Sequence, residues 1–340
     1  MKILVLLTIV FSLFSCNEKD GYVYFDDPPP RQYYKRSFDP SLFKADNKVD
    51  ILWVVDNSGS MSSIQANIVK NAGLFMENFQ NDQLLEWKMG VMSTDVDEDP
   101  YLGFDTPFDF DTINPIKVFT DEFKKLGTNG AYDEYVFRNV HRAFDYVIPR
   151  TDPRLPAQYQ FFRNNAHFVV IMVTDEPPQS YKLDDTLYEP IPFLNTMSRL
   201  IAGDKILRFY GAIAAKDLEN CSESWSYTGS RFETVVNDTG GFTISACLPD
   251  FGKGLAEIGK DIASIPSQPR LLLGDQPKPE TIKVTYKGVE LQGGTRDDKA
   301  YWYYDKHFNR INFYNIDFIP DGDLTEIEVS FEIEDGVDRS

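Results

Sequence analysis

Ile51-Leu52-Trp53-Val54-Val55-Asp56-Asn57-Ser58-Gly59-Ser60-Met61 is an apolar run that stops abruptly in oxygen donors. A short, continuous apolar run is what a strand buried on both faces of a parallel sheet requires. The Asp-x-Ser-x-Ser loop after it puts one carboxylate and two hydroxyls on a tight turn at the strand's carboxyl end. Hard oxygen donors suit Mg²⁺, which prefers octahedral oxygen coordination and keeps several waters. Taken alone, the same residues also suit a helix N-cap.

Working outward, strand and helix patterns alternate. Ser62 to Phe79 carries Ile64, Ile68, Ala72, Phe75 and Phe79 on one helical face. Trp87 to Thr94 reads as a strand, and Asp133 to Val147 as a helix with Val136, Val140 and Phe144 in phase. Ala166 to Thr174 contains Phe168-Val169-Val170-Ile171-Met172-Val173, the strongest buried strand. Phe193 to Ala202 reads as a helix, Ile206 to Ala214 as a strand, and Arg231 to Asp238 as a helix stopped by Gly240-Gly241. Phe242 to Cys247 is the last strand of this series, and Leu255 to Ile265 the last helix. Such alternation implies right-handed crossovers and a doubly wound, mostly parallel α/β sheet. In these sheets ligands bind outside the carboxyl ends of the strands.

Two further features fall on that same edge. Leu126-Gly127-Thr128-Asn129-Gly130 places a hydroxyl on the loop before the Asp133 helix, and Thr174-Asp175 closes the strongest strand with a carboxylate. Asp-x-Ser-x-Ser, then Gly-Thr, then a strand-end Thr-Asp resembles the von Willebrand factor A and integrin inserted domains over about residues 47–265. The resemblance implies a Rossmann-like fold and a metal-ion-dependent adhesion site at Asp56, Ser58, Ser60, Thr128 and Asp175, holding Mg²⁺ or Mn²⁺. It implies that Ser58 and Ser60 ligate directly, that Asp56 and Asp175 act mostly through water, and that Thr128 engages on ligand binding. The remaining coordination position would take a carboxylate from a protein or glycan partner. Glu176 stands where the family usually has Gly; its side chain either points away or occupies the open position.

After Pro266-Ser267-Gln268-Pro269 the pattern changes. Ile282 to Tyr286, Tyr301 to Tyr304, Ile311 to Tyr314 and Ile327 to Ile333 read as strands with turn pairs at Lys287-Gly288 and Gly293-Gly294. Residues 270–340 are therefore expected to form a small C-terminal all-β module. Three long loops should rise beside the metal: Asp95 to about Ile116, Glu176 to Pro192, and Lys216 to Ser230. The first interleaves Asp97, Glu98, Asp99, Asp105, Asp109 and Asp111 with Tyr101, Phe104, Phe108 and Phe110. It reads as a solvated acidic loop or as a second Ca²⁺ site, without the ligand spacing of an EF-hand. Tyr181, Tyr188, Trp225 and Tyr227 in the other two loops either anchor a ligand or pack their own loops.

The start of the chain sets an expected compartment. Met1-Lys2 followed by the apolar run Ile3 to Phe14 fits a signal peptide. Leu13-Phe14-Ser15-Cys16 resembles a bacterial lipobox, with Phe14 bulkier than usual, so residues 1–16 are read as a lipoprotein signal with lipidation at Cys16. An ordinary signal peptide is the alternative. Residues 17–46, with Asp26-Asp27-Pro28-Pro29-Pro30, read as an extended tether that ends as a strap on the first domain. An exported protein anchored in a membrane by lipid, at the outer membrane or cell surface, is the expectation. Cys221 and Cys247 then most simply pair, closing a loop worth about 3 kcal/mol in the chain-entropy model. A nucleophilic thiol is the rival reading, but neither Cys has a His nearby in sequence.

The 340-residue chain carries a formal net charge of -19. That charge disfavours phosphate backbones and speaks against nucleic acid as a partner. His141, His167 and His307 are scattered, and no Ser-His-Asp arrangement is visible, so an enzyme is not expected. Two functions remain: a metal-dependent adhesin-like lipoprotein, or an envelope scaffold using the same site for an internal partner.

Overall fold

β2 (Lys48–Val55) is the axis of the molecule. Val49, Ile51, Trp53 and Val55 face one side of the sheet and Leu52 and Val54 the other, and all six are fully buried. This is the two-residue period of a strand covered on both faces. The computed structural model of the chain describes residues 33–39, 47–80, 85–95, 107–130, 133–147, 161–163, 165–180, 188–201, 205–213, 230–246, 248, 251–296, 298–314, 316, 318–320 and 323–334. Cys16, Cys221 and Cys247, and the loop residues Tyr101, Phe104, Tyr181, Trp225 and Tyr227, lie outside the described residues.

Around β2 stand β3 (Glu86–Ser93), β4 (Phe108–Asp109), β5 (His167–Thr174), β6 (Leu207–Ile213) and β7 (Thr243–Ser245), in the spatial order β4-β3-β2-β5-β6-β7. All pairs are parallel except β3 with the edge strand β4. Helix α1 (Ser62–Gln80), α2 (Pro115–Leu126) and α6 (Phe251–Ser264) contribute to one apolar layer, which includes Trp53, Phe75, Phe119, Phe123 and Leu255. The opposite layer draws on α3 (Val136–Val147), α4 (Pro190–Leu200) and α5 (Ser230–Asp238). The sheet is thus doubly wound. Its strand order reverses between β2 and β5, which makes their carboxyl ends the switch point where such sheets bind ligands.

α2 and β4 correct the reading of Asp95 to Ile116 as one long loop. Phe119, Phe123 and Leu126 repeat at helical spacing and are buried, with Pro115 in the first turn. Phe108 is 2% exposed and packs edge-on against Trp87 and Phe119, so this aromatic belongs to the core and not to a binding surface. Tyr188 is also buried.

The C-terminal module has two antiparallel sheets that share one core. β8 (Arg270–Leu272), β11 (Trp302–Asp305) and β12 (Arg310–Phe313) form the smaller, in the order β11-β12-β8. β9 (Lys283–Tyr286), β10 (Val289–Leu291) and β13 (Ile327–Glu332) belong to the larger. Its fourth strand is β1 (Tyr33–Phe38), antiparallel to β13 with Tyr34 opposite Phe331. The segment expected to strap the first domain therefore supplies an edge strand to the second, and the α/β body is inserted between β1 and the rest of the module. Among the described residues no helix is long and apolar enough to cross a membrane.

Candidate metal centre

The chain leaves the sheet at Asp56, whose N–H continues the ladder to the carbonyl of Val173 at 2.9 Å. Its side chain then organises the turn. Asp56 Oδ1 accepts the Ser58 N–H at 2.8 Å, and Oδ2 accepts the Thr174 hydroxyl at 2.7 Å. The first contact is the Asx-type bend expected of Asp in a tight loop. The second ties the end of β2 to the end of β5 across the switch point. Gln65, one turn into α1, donates to the Asp56 carbonyl at 2.9 Å.

The two serines meet this frame from the 3-10 turn that precedes α1. Ser58 Oγ and Ser60 Oγ are 3.0 Å apart, and Ser60 Oγ donates to Asp175 Oδ1 at 3.2 Å. Asp56 and Asp175 are buried beneath Ser60, which is exposed. Four of the five residues expected to form the site are thus joined by hydrogen bonds although they come from segments more than 100 positions apart. The Thr128 loop is brought against the same turn: Gly130 N–H donates to the Asn57 carbonyl at 2.9 Å. A Cβ at Gly130 would stand 2.3 Å from Asn57 Oδ1, so only glycine permits this approach. Asn57 is held from the other side by the Ser93 hydroxyl at 2.8 Å. Thr128 itself is half-buried.

Sequence reading missed Glu134, which is 1% exposed. One of its oxygens, Oε2, accepts the Thr94 hydroxyl, and its carbonyl accepts the Gln179 N–H at 2.8 Å. Burial, then the charge of Asp56, pushes its carboxyl up to about 10. Asp175 and Glu176 are raised too, first by burial and then by Asp56. Glu176 Oε2 accepts from Gln179 Nε2 at 3.1 Å. A Glu just ahead of a helix is ordinarily read as a favourable partner of the helix dipole, which is why nothing local marked Glu134.

Among the described residues none of Asp56, Glu134, Asp175 and Glu176 has a Lys or Arg partner, and Glu134 Oε1 is buried with no hydrogen-bond donor. Buried carboxylates in this state are costly unless a proton or a cation compensates them. Among the described residues no three His, Cys, Asp or Glu side chains are placed to hold an ion between them. The donor set is therefore mixed, with the Ser58 and Ser60 hydroxyls beside the carboxylates. Hydroxyls, carboxylates and room for retained water are what a hard divalent cation such as Mg²⁺ accepts, so these residues fit one.

The three histidines do not gather. His167 opens β5, accepts the Ile206 N–H at Nδ1 (3.0 Å), and is held well below its usual pKa by burial and by Arg270. His141 lies against Tyr188, and His307 Nδ1 is 2.8 Å from Asn195.

No protein-family model matches the chain, and no curated protein matches it. Solved structures similar to it include a von Willebrand factor type A protein from Catenulispora acidiphila, at 12% identity and a TM-score of 0.42 over 90% of this chain and 66% of that one. The pilus adhesin SpaC from Lactobacillus rhamnosus GG, in an open conformation, is similar at 13% identity and a TM-score of 0.42 over 91% of this chain and 44% of that one. Proximal thread matrix protein 1 from the mussel byssus is similar at 10% identity and a TM-score of 0.38 over 68% and 51%. The chain spans 66%, 44% and 51% of the lengths of these three proteins.

Proposed function

We propose that this chain is an exported recognition protein that binds Mg²⁺ or Mn²⁺ through Asp56, Ser58, Ser60, Thr128 and Asp175. The bound ion would supply a hard positive centre able to take a carboxylate oxygen from a protein or glycan ligand. The lipobox-like Leu13-Phe14-Ser15-Cys16 supports a lipid anchor at Cys16, which would hold the protein at the cell envelope or surface. The observation that carries the reading is the hydrogen-bonded set Asp56, Ser58, Ser60 and Asp175 at the switch point of the sheet. Binding rather than catalysis is favoured by the separation of the described histidines, each engaged in local packing or hydrogen bonding.

Each residue has a stated part in this reading. Ser60 offers its hydroxyl oxygen at the surface, and Ser58 offers its own from a buried position beside it. Asp56 and Asp175 supply negative charge from beneath, with Thr174 and the Ser58 N–H fixing the Asp56 carboxylate. Gly130 holds the Thr128 loop within reach. The test is a Mg²⁺ and Mn²⁺ titration of the folded protein against its Asp56→Ala variant, joined to a pull-down from envelope extract with and without EDTA. Saturable binding lost in the variant, and capture lost with EDTA, are expected. Equal metal binding by wild type and variant overturns the assignment.

A further inference from the structure

Glu134 has the geometry of a functional group and no role among the five residues above. It stands on the stretch that leads into α3, and the chain fixes it from two sides. The Tyr135 N–H donates to the Thr94 carbonyl at 3.1 Å, and the Gln179 N–H donates to the Glu134 carbonyl at 2.8 Å. The side chain is held as well, because Thr94 on the end of β3 donates to Oε2. A buried carboxyl so placed has little freedom to turn elsewhere. Its second oxygen, Oε1, is buried and receives no donor. Asp56, whose charge acts on it most, lies within side-chain hydrogen-bond reach of Glu134 and has its own oxygens engaged by the Ser58 N–H and the Thr174 hydroxyl.

An ionised carboxylate only accepts hydrogen bonds, so the Glu134–Asp56 pair is satisfied either by a proton held between the two carboxyls or by a cation that replaces it. Buried polar atoms without partners are rare, and an ion or a water is among the standard reasons for one. Among the described residues the carboxylates are not placed to hold an ion between them without help. A small divalent cation keeps several of its waters, and those waters are donors. We infer that Glu134 is a sixth residue of the cation centre, accepting at Oε1 a hydrogen bond from a water carried by the ion. The inference rests on the metal-binding reading above. Thr94 then positions Glu134, and the Gly130 and Gln179 loops hold the group against Asp56. Outer partners of this kind typically change metal affinity by about 10- to 100-fold when removed.

The experiment measures the Mg²⁺ dissociation constant by calorimetric titration of the whole chain, with metal-free melting temperature read alongside. Glu134→Gln keeps the shape and the Thr94 contact but removes the ability to ionise beside a cation. It is expected to weaken Mg²⁺ binding tenfold or more while the metal-free melting temperature holds or rises. A dissociation constant within threefold of wild type in the folded variant overturns the inference, because a Glu that only fills space would behave so. Should Glu134→Gln not fold, Thr94→Val takes its place. It frees Oε2 without touching the five residues, and a loss of threefold or more is expected; no loss overturns the inference. Asp175→Asn separates the two levels. If it abolishes Mg²⁺ binding while Glu134→Gln does not, only the role of Glu134 fails. If Asp175→Asn binds as wild type, the metal centre itself is wrongly assigned.

Discussion

The two edges of the six-stranded sheet bury charge in opposite ways. At the carboxyl edge, Asp56, Glu134 and Asp175 are buried close together, and among the described residues no Lys or Arg meets them. At the amino edge each buried ion has its counter-ion. Arg208 on β6 donates to Asp261 of α6 at 3.2 Å, to Gln268 at 2.9 Å and to the Tyr303 hydroxyl of the β module at 3.3 Å. Asp261 also accepts from Tyr210 and from Arg296. Arg310 of β12 pairs with Asp305 at 3.0 Å and reaches the Lys205 carbonyl. Asp50 on β2 is held by Arg163. These pairs fasten the α/β body and α6 to the β module, although Arg208 Nε is buried with no hydrogen-bond partner. The buried carboxyls of the carboxyl edge have no such counter-charge among the described residues, and the proposed cation would supply it. The same residue type, a buried Asp, thus has a structural meaning at one edge and, under the proposed function, a binding meaning at the other.

Removing an Asp should therefore have opposite consequences at the two edges. Asp261→Ala strands Arg208 and Arg296 at the joint between domains. Breaking a buried pair from one side costs about 3–5 kcal/mol, and urea unfolding of the variant should show a loss of that size. A loss below about 1 kcal/mol would mean that the clasp is dispensable and the comparison mistaken.

The next effect is a pH slope. Burial raises the Asp50 carboxyl to about 6 from 3.8, against the opposing pull of Arg163. Between those values the native protein keeps a proton that the unfolded chain has released. Stability then falls as pH rises through the window, and is flat in this contribution below 3.8 and above about 6. At about 1.4 kcal/mol per unit the whole window amounts to about 3 kcal/mol. Denaturant unfolding of wild type and Asp50→Asn at pH 4, 5 and 6 should show the difference between them changing with pH in that sense. A constant difference would show that Arg163 cancels the effect of burial.

At the carboxyl edge, Asp175→Asn removes a repelling charge. Metal-free stability should stay level or rise, the reverse of Asp261→Ala. What is lost is the response to cation. Wild type should gain about 2.7 kcal/mol at a Mg²⁺ concentration one hundred times its dissociation constant, by mass action on the native state, and the variant should gain nothing. A destabilised metal-free variant would place Asp175 with the structural aspartates.

How much of this was legible in the sequence follows from where each signal lives. β2 and β5 are buried on both faces, so their apolar runs are continuous and stand out locally. The Asp56, Ser58 and Ser60 donors share one loop, and Asp175 ends the strongest strand, so both fall on an edge that topology alone predicts. α2 was hidden because its first residues follow an acidic, aromatic stretch and Asn114, in a left-handed conformation at φ 56°, reads as loop. Glu134 was hidden because only the tertiary fold buries it beside Asp56. β1 was hidden for a further reason: its partner strand lies at the far end of the chain, and no local period reports such a pairing.

β1 supplies the smallest and most discriminating of these effects. Its six residues alternate only weakly, and Tyr33 is 67% exposed, as suits an edge strand facing solvent on one side. What holds it is the ladder to β13 and the stack of Tyr34 on Phe331, with ring centroids 4.5 Å apart. An aromatic pair of this kind contributes about 1 kcal/mol beyond its buried area. Tyr34→Ala should therefore lower the stability of the β module by about that amount, seen as earlier amide exchange along Ile327–Glu332. Mg²⁺ affinity should not move, because the site lies at the carboxyl edge of the other sheet and the amino-edge clasp is untouched. Unchanged exchange along β13 would return residues 33–38 to the tether. A shift in Mg²⁺ affinity instead would mean that the two regions are energetically linked, with the Asp261 clasp as the physical connection to test next by combining Tyr34→Ala with Arg296→Ala.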